Sequence, residues 1–158
     1  MIKTQFIEPQ QTYSLRQTVL RPGRPPEEAM FDDDFSASTF HVGTFENHHL
    51  QVIATFVEQA PPENLREHLN LPPDFASYRL RGMATDPSAR RKGLGRNAVL
   101  FAEQHLLQKG IRLLWFNARQ VAYPFYTSLG YEFFGDEFEM KLIGPHKVMY
   151  KILKSDNL

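Results

Sequence analysis

The chain has 158 residues, enough for one domain with a substantial core, and its 42% hydrophobic and 23% charged residues are typical of globular proteins. Its 18 Lys and Arg balance its 18 Asp and Glu, so a general attraction to nucleic acid or anionic membranes is not expected. With no cysteine, disulfides, a thiolate nucleophile and a cysteine-ligated metal are excluded. We expect a single cytoplasmic domain over 1–158, without a membrane segment.

The first half of the chain predicts three strands and one helix. Amphipathic spacing predicts the helix over 13–20, where Arg21-Pro22-Gly23 ends it. The stretch 24–34 is rich in proline and then in acid, which predicts a loop with one helical turn, and the polar residues between the proline pairs at 61–62 and 72–73 predict another loop. β-Branched and aromatic runs predict strands at 2–7, 39–45 and 50–57, the last two joined as a hairpin.

The second half predicts strands alternating with helices. Apolar residues at helical spacing after Gly93 indicate the clearest helix, which Gly110 ends, and a shorter helix is expected at 121–129. Strands are expected at 77–85, 111–116, 131–134 and 146–153. The alternation favours right-handed crossovers and parallel pairing here, whereas the earlier hairpin favours antiparallel pairing. The fold class predicted is therefore α/β (α+β), a mixed sheet flanked by helices.

The segment before the long helix has the character of a phosphate-binding loop. Its residues are Arg90, Arg91, Lys92, Gly93, Leu94, Gly95 and Arg96. Two glycines let the backbone approach a ligand closely, the helix start adds its positive dipole end, and the basic side chains add charge. A Walker A loop is excluded because its Gly-x-x-x-x-Gly-Lys-Ser/Thr pattern is absent. The alternative is a glycine-rich turn that only begins a helix.

Two motifs resemble those of the GNAT N-acetyltransferase superfamily. The first, Arg/Gln-x-x-Gly-x-Gly/Ala at the start of a central helix, is matched from Arg90 to Gly95. The second, Ala-x-x-Phe-Tyr-x-x-Leu-Gly-Tyr/Phe, is matched from Ala122 to Tyr131. Both occur in the expected order and on the expected elements. A weaker resemblance, to the ElaA-like bacterial branch, is carried by Asn117-Ala118-Arg119 and Gly144-Pro145-His146.

The resemblance implies a largely antiparallel sheet of six to seven strands with about four helices, in which a splayed parallel pair holds acetyl-CoA as co-substrate. It implies that the strand 77–85 bulges and that a main-chain N–H at Met83 or its neighbours binds the thioester oxygen. Many family members carry Asn where this chain has Arg119, and Asn117 is the alternative contact for the pantetheine arm. The implied cofactor site comprises Met83, Ala84, Thr85, Arg90 to Arg96, Asn117, Arg119 and Tyr126.

Tyr126 is the implied general acid, because a phenol with an ordinary pKa near ~10 can protonate a departing thiolate. Its alternatives are a purely packing role for Tyr126, or Tyr123 one helical turn earlier as the acid. The general base is left open among His41, His146, Glu137, Glu139 and water. The other histidines are expected to face solvent: His48, His49, His68 and His105. No metal-ligand spacing is found.

The resemblance implies acetyl transfer to a primary amine of a small molecule or peptide, by direct attack in a ternary complex. The alternatives are a non-catalytic acyl-CoA-binding sensor and, disfavoured by the zero net charge, a nucleic-acid binder. The acceptor is expected to approach from the sheet side opposite the pyrophosphate, near 24–34. There the run Asp32-Asp33-Asp34 either attracts a cationic amine or is a solvated loop. A homodimer is left open.

Overall fold

The computed structural model describes residues 1–155, in which seven strands form one sheet in the order β1-β2-β3-β4-β5-β7-β6. The strands are β1 (Ile2–Ile7), β2 (Phe40–Glu46), β3 (His49–Glu58), β4 (Ser77–Thr85), β5 (Leu113–Arg119), β6 (Glu132–Met140) and β7 (Gly144–Ile152). Neighbouring strands are antiparallel except β4 and β5, which are parallel. The mixed, largely antiparallel sheet is confirmed.

The hairpin of β2 and β3 turns through two residues with left-handed backbone. Asn47 and His48 have φ of 50° and 72°, and Glu46 pairs with His49 on either side of them. Two successive positive φ values match the right-handed twist of the flanking strands. This turn confirms the predicted hairpin and leaves His48 and His49 exposed, as expected.

In the described part of the chain, four α-helices accompany the sheet: α1 (Tyr13–Leu15), α2 (Glu63–His68), α3 (Leu94–Gln108) and α4 (Tyr123–Ser128). The helix expected over 13–20 begins earlier and changes its winding, since a 3-10 turn, Pro9–Thr12, precedes α1 and a π-helical turn, Arg16–Leu20, follows it. The prediction of a loop between the proline pairs was wrong, because this segment contains α2. Leu65 of α2 is fully buried against a patch that includes Trp115.

The parallel pairing expected throughout the second half is correct only for β4 with β5. β7 lies between β5 and β6 and is antiparallel to both. The crossover from β5 through α4 therefore does bring β6 back in the same direction as β5, but one strand further out. The last strand takes the intervening place because the turn after β6 folds it back as a hairpin.

The sheet has a different cover on each face. One face packs α3 and α4 over a core that contains Leu114 and Phe116 of β5. The alternate residues of β5, Leu113 and Trp115, point to the other face, which α2 covers. Because side chains alternate along a strand, these two sets identify which face any residue of β4 or β5 occupies.

Candidate active site

The parallel strands β4 and β5 separate part way along their length. Residues 77–79 pair with 113–115, and none of the described residues beyond these positions pairs the two strands. Both strands nevertheless continue, β4 to Thr85 and β5 to Arg119. A V-shaped opening results between their carboxyl ends, and it is the splayed parallel pair that the resemblance implied.

A bulge in β4 forms one wall of this opening. The register of β4 on β3 shifts by one residue, so that Gly82 and Met83 together face the single residue Ala54. Gly82 has a φ of +60°, and a Cβ added to it would lie 2.7 Å from Cε2 of Phe31. A side chain at position 82 is therefore disfavoured by both backbone conformation and space. The bulge turns the strand at the residues expected to bind the thioester oxygen.

The opening encloses a pocket of about 150 Å³. This is below the ~300–1,000 Å³ of sites that hold whole drug-sized ligands, so a ligand of that size would fit inside only in part. Among the residues expected from the sequence, the pocket is lined by Met83, Asn117, Arg119, Tyr126 and His146. Residues distant in the chain thus meet where the two strands part.

Tyr126 and Met83 are in direct contact at the pocket. The Tyr126 hydroxyl donates a hydrogen bond to Sδ of Met83, at 3.5 Å, and the ring packs 4.3 Å from that of Phe116. Burial raises the pKa of Tyr126, against a small lowering by the positive charge of Arg119. The hydroxyl therefore stays protonated and is able to act as a proton donor. Ala84 and Thr85, the other expected residues of this strand, still pair with β3.

Tyr123 and the acidic candidates lie outside the pocket lining. The Tyr123 hydroxyl donates to Oε2 of Glu137 at 3.1 Å, and desolvation together with this carboxylate raises the pKa of Tyr123 to about 12. Glu139 is exposed on the same strand, β6. Neither the alternative acid nor the two carboxylate alternatives for the base are brought to Tyr126.

The two histidine candidates have different surroundings. Nε2 of His41 lies 3.0 Å from the main-chain oxygen of Asp34 and Nδ1 lies 2.7 Å from Oγ1 of Thr55. A carbonyl only accepts, so Nε2 carries the proton, and both nitrogens are occupied away from the pocket lining. His146 does line the pocket, and its Nδ1–H donates to the main-chain oxygen of Gly144 at 2.8 Å. The Nε2 lone pair of a neutral His146 is then left as a base.

The segment from Arg90 to Arg96 has the features of an anion cradle. Arg91 and Gly93 have positive φ, 68° and 78°, and no side chain in the described part of the chain caps the first turn of α3. A Cβ on Gly93 would meet no atom within 4 Å, whereas one on Gly95 would lie 3.1 Å from Cε of Met83. Uncapped N–H groups at a helix start, beside a glycine with open space around it, fit a pyrophosphate.

The basic side chains of this loop are exposed, as an anion site requires. They are Arg90, Arg91, Lys92 and Arg96. Lys92 lies 3.2 Å from the carboxylate of Glu46 at the end of the first hairpin, an exposed contact that solvent weakens and a phosphate could replace. Leu94 contributes only main chain here, because its side chain is buried in the core.

Arg119 occupies the position at which many family members carry Asn. Its Nη2 donates to the main-chain oxygen of Leu20 at 3.0 Å, which ties the end of β5 to the π-helical turn. Burial lowers the pKa of Arg119, and repulsion from Arg21 adds to this. Asn117 precedes it on the same strand and face, also at the pocket. Both residues expected to contact the pantetheine arm therefore lie at the pocket.

The acidic run at 32–34 is not a uniform solvated surface. Asp34 is buried and receives two hydrogen bonds from Arg16, at 2.7 and 2.9 Å, and one from the N–H of Phe31 at 2.9 Å. Asp32 is exposed and Asp33 is half-buried. The interpretation of the run as a solvated loop was wrong for Asp34, whose charge is neutralised internally.

Sequence reasoning missed the arginines that line the pocket. The cofactor site expected from the sequence did not include Arg79 and Arg81, which lie within the strand expected at 77–85, or Arg21, which lies at a helix end. The signal was present, since two arginines spaced by two residues on a strand with an apolar opposite face must share one side of the sheet. His105 was also expected in solvent, but it is half-buried and its ring packs 4.7 Å from Phe40.

The described residues contain no group of three or more His, Cys, Asp or Glu side chains placed to hold a metal ion. No helix among residues 1–155 has both the length and the apolar character to cross a membrane.

Comparison with known proteins gives consistent matches. A curated protein of Bacillus subtilis, the uncharacterized N-acetyltransferase YitI, is 34% identical over 155 residues, 98% of this chain and 99% of its own. Two solved structures share the fold: Escherichia coli ElaA (TM-score 0.71, 17% identity, covering 96% of this chain and 99% of that one) and an aminoglycoside 6'-N-acetyltransferase complexed with coenzyme A (TM-score 0.73, 13% identity, 97% and 98%).

The family assignment rests on the sequence match as well as on the fold. The acetyltransferase (GNAT) family model matches residues 11–131, which include the loop before α3, the splayed strands and α4. At these identities the solved structures show a common fold and do not single out the ElaA-like branch. The chain belongs to the acetyltransferase (GNAT) family of acyltransferase enzymes.

Proposed function

We propose that this protein transfers an acetyl group from acetyl-CoA to a primary amine, with both substrates bound at the V between β4 and β5. The observation that carries the proposal is the contact between the Tyr126 hydroxyl and Met83 in the pocket. This contact brings the protonated Tyr126 phenol beside the bulge at Gly82 and Met83. A main-chain N–H of the bulge would bind the thioester oxygen. A proton donor and an oxyanion-type donor are the two groups that acyl transfer from a thioester requires.

Different residues of the chain would have different roles along the opening. The uncapped start of α3 and the basic side chains at 90–96 would hold the pyrophosphate, and Asn117 and Arg119 would contact the pantetheine arm. Acetyl-CoA supplies an acetyl thioester, from which the acetyl group passes to the amine nitrogen as the carbon–sulfur bond breaks. Tyr126 would give its proton to the sulfur, and His146 or water would take the proton that the amine loses.

The proposal is tested by mixing the purified protein and acetyl-CoA with a panel of primary amines and measuring released thiol. We expect saturable release with at least one amine and stoichiometric binding of acetyl-CoA by calorimetry. Binding without release for every amine would instead support a non-catalytic acyl-CoA sensor. No binding at millimolar acetyl-CoA would contradict the assignment of the loop at 90–96.

A further inference from the structure

Four arginines from separate parts of the chain line one side of the pocket. They are Arg21, Arg79, Arg81 and Arg119. Arg79 and Arg81 alternate along β4 with core residues that face α3, and Arg119 alternates along β5 with residues of the same core. All three therefore lie on the sheet face opposite α3 and α4, and thus opposite the loop at 90–96.

These guanidinium groups are held in place without carboxylate partners. Cζ of Arg79 lies 5.1 Å from the ring centroid of Trp115, and Cζ of Arg81 lies 4.6 Å from that of Phe31. Within residues 1–155, none of the ion pairs of 4.0 Å or less includes any of these four arginines. Aromatic stacking fixes the plane of a guanidinium while leaving its N–H donors free for a ligand.

Arg79 shows that this site is incomplete by itself. Its Nε is buried and has no hydrogen-bond partner among residues 1–155. Burial lowers the pKa of Arg79 to about 10, with further lowering by the charge of Arg81, yet the group remains charged at neutral pH. A buried donor without an acceptor is costly, and an oxygen anion is the ligand that would relieve it.

The nearby acids do not cancel this charge. Asp33 raises the pKa of both Arg79 and Arg81, and Asp34 also raises that of Arg81, although Asp34 is already ion-paired with Arg16. Of these two acids, only the half-buried Asp33 has no ion pair within residues 1–155, and it faces four arginines at the pocket. A pocket of this charge repels an ammonium ion and attracts an anion, the reverse of what the acidic run at 32–34 suggests from sequence.

We propose that the acceptor is a small amine that also carries an anionic group, a carboxylate or a phosphate, which Arg79 and Arg81 bind on the face opposite α3. This inference rests on the proposed acetyl transfer and specifies its acceptor.

The test compares matched acceptors with the native protein. An α-amino acid is paired with its carboxamide, and 2-aminoethyl phosphate is paired with 2-aminoethanol. We expect kcat/KM, measured as thiol release from acetyl-CoA, to be ~10-fold or more higher for the anionic member of at least one pair, since a site built for an anion rejects the uncharged analogue. The preferred pair identifies carboxylate or phosphate. Equal values within both pairs would overturn the inference while leaving acetyl transfer intact.

Arg81→Gln separates a role in binding the anion from one in folding. We expect it to raise KM for the preferred anionic acceptor by ~10-fold or more, and to change kcat/KM for the neutral partner and the affinity for acetyl-CoA far less. Arg112→Gln removes the same charge from an exposed position before β5 and is expected to alter neither value. Equal losses for both members of a pair would contradict anion binding. Should Arg81→Gln not fold, the matched acceptors on native protein decide alone.

A binding measurement distinguishes failure of this inference from failure of acetyl transfer. Protein saturated with coenzyme A, so that its phosphate sites are already filled, is titrated with each acceptor by calorimetry. Saturable binding of the anionic member only, lost in Arg81→Gln, supports the anion site even where no thiol is released. Absence of such binding overturns it.

Discussion

Tyr126 is enclosed by aromatic rings, with Phe116 at 4.3 Å, Phe125 at 5.0 Å and Tyr131 at 6.0 Å between ring centroids. Such packing by itself would suit a structural tyrosine. The direction of its hydroxyl, towards Met83 and the pocket, is what suits a proton donor. Because burial raises the pKa of the phenol, it stays protonated at any physiological pH.

We predict that Tyr126→Phe lowers kcat by about 10²-fold and leaves the affinity for acetyl-CoA nearly unchanged, because it removes one proton donor and no packing volume. Thiol release measures the first quantity and calorimetry the second. Tyr123→Phe is the matched control, as its hydroxyl is held by Glu137 outside the pocket lining. An undiminished rate in Tyr126→Phe would leave Tyr126 with a packing role only.

Acetyl-CoA binding by the loop before α3 is expected to depend on backbone conformation more than on any one charge. Gly93 has a φ of 78° that L side chains rarely adopt, although a Cβ there would meet no atom of the chain. A side chain at 93 would therefore strain the backbone and obstruct a ligand, but it would not clash with the protein core. Four exposed cations surround the same loop and can substitute for one another.

We predict that Gly93→Ala weakens acetyl-CoA binding more than Arg91→Ala does. The first strains the turn that aims the N–H groups of α3, whereas the second removes one of several exposed, screened charges. Calorimetry at low and physiological salt measures both. Added salt is expected to reduce the difference between native protein and Arg91→Ala and to leave the Gly93→Ala defect in place. Similar binding by Gly93→Ala and native protein would contradict a main-chain cradle.

The helical segment at 9–20 and the loop at 26–34 are joined by a buried ion pair. Arg16 binds Asp34, the main-chain oxygen of Ala29 and the hydroxyl of Thr55 on β3. Both charged groups are fully enclosed, so each depends on the other for compensation. The pair also positions Phe31, which contacts Arg81 and closes over Gly82.

We predict that Asp34→Asn lowers the free energy of unfolding by about 3–5 kcal/mol, because it leaves the Arg16 charge buried without its counter-ion. Denaturant unfolding measures the loss. Glu28→Gln, which breaks the exposed pair of Arg24 with Glu28, is the control and is expected to change stability little. Equal effects of the two substitutions would contradict the structural role assigned to Asp34.

For the molecule as a whole, a buried histidine, His41, and a half-buried one, His105, link stability to pH. Burial lowers the pKa of His41 and of His105 from 6.5. The unfolded chain then binds more protons than the folded one below pH 6.5, so acid favours unfolding. Asp34 acts in the same direction at lower pH. Burial alone would raise its pKa, but hydrogen bonds from Arg16 and Phe31 bring it below 3.8, and this stability is lost as pH falls through that range.

We predict that the thermal midpoint falls as the pH is lowered from 7 to 5, and that His41→Gln reduces this slope. The slope does not vanish in the variant because His105 still contributes. His48→Gln, at an exposed turn, is expected to leave the slope unchanged. A thermal midpoint that is constant over this range would contradict the buried, neutral state of His41.

Features that depend on local spacing could be predicted from the amino-acid sequence. The hairpin at 46–49, the long helix that Gly110 ends, and the loop from Arg90 to Arg96 follow from period, turn residues and helix ends, all of which act between near neighbours. The family followed from two such local motifs. Helix α2 was not predicted because six residues give little periodicity. An acidic first turn after Pro62 and leucines at 65 and 69 were nevertheless a usable signal.

How residues distant in the chain come together could not be predicted from the sequence and is seen only in the folded structure. The insertion of β7 between β5 and β6 depends on which strand edge is available after α4, and no local pattern encodes that choice. The same holds for the pocket, in which Arg79, Arg81 and Arg119 lie on one face while Asp34 turns inward to Arg16. Sequence shows only that the chain has equal numbers of each charge. Which charges are paired, buried or left facing a ligand is set by packing, because Coulomb energies depend on distance and burial rather than on order along the chain.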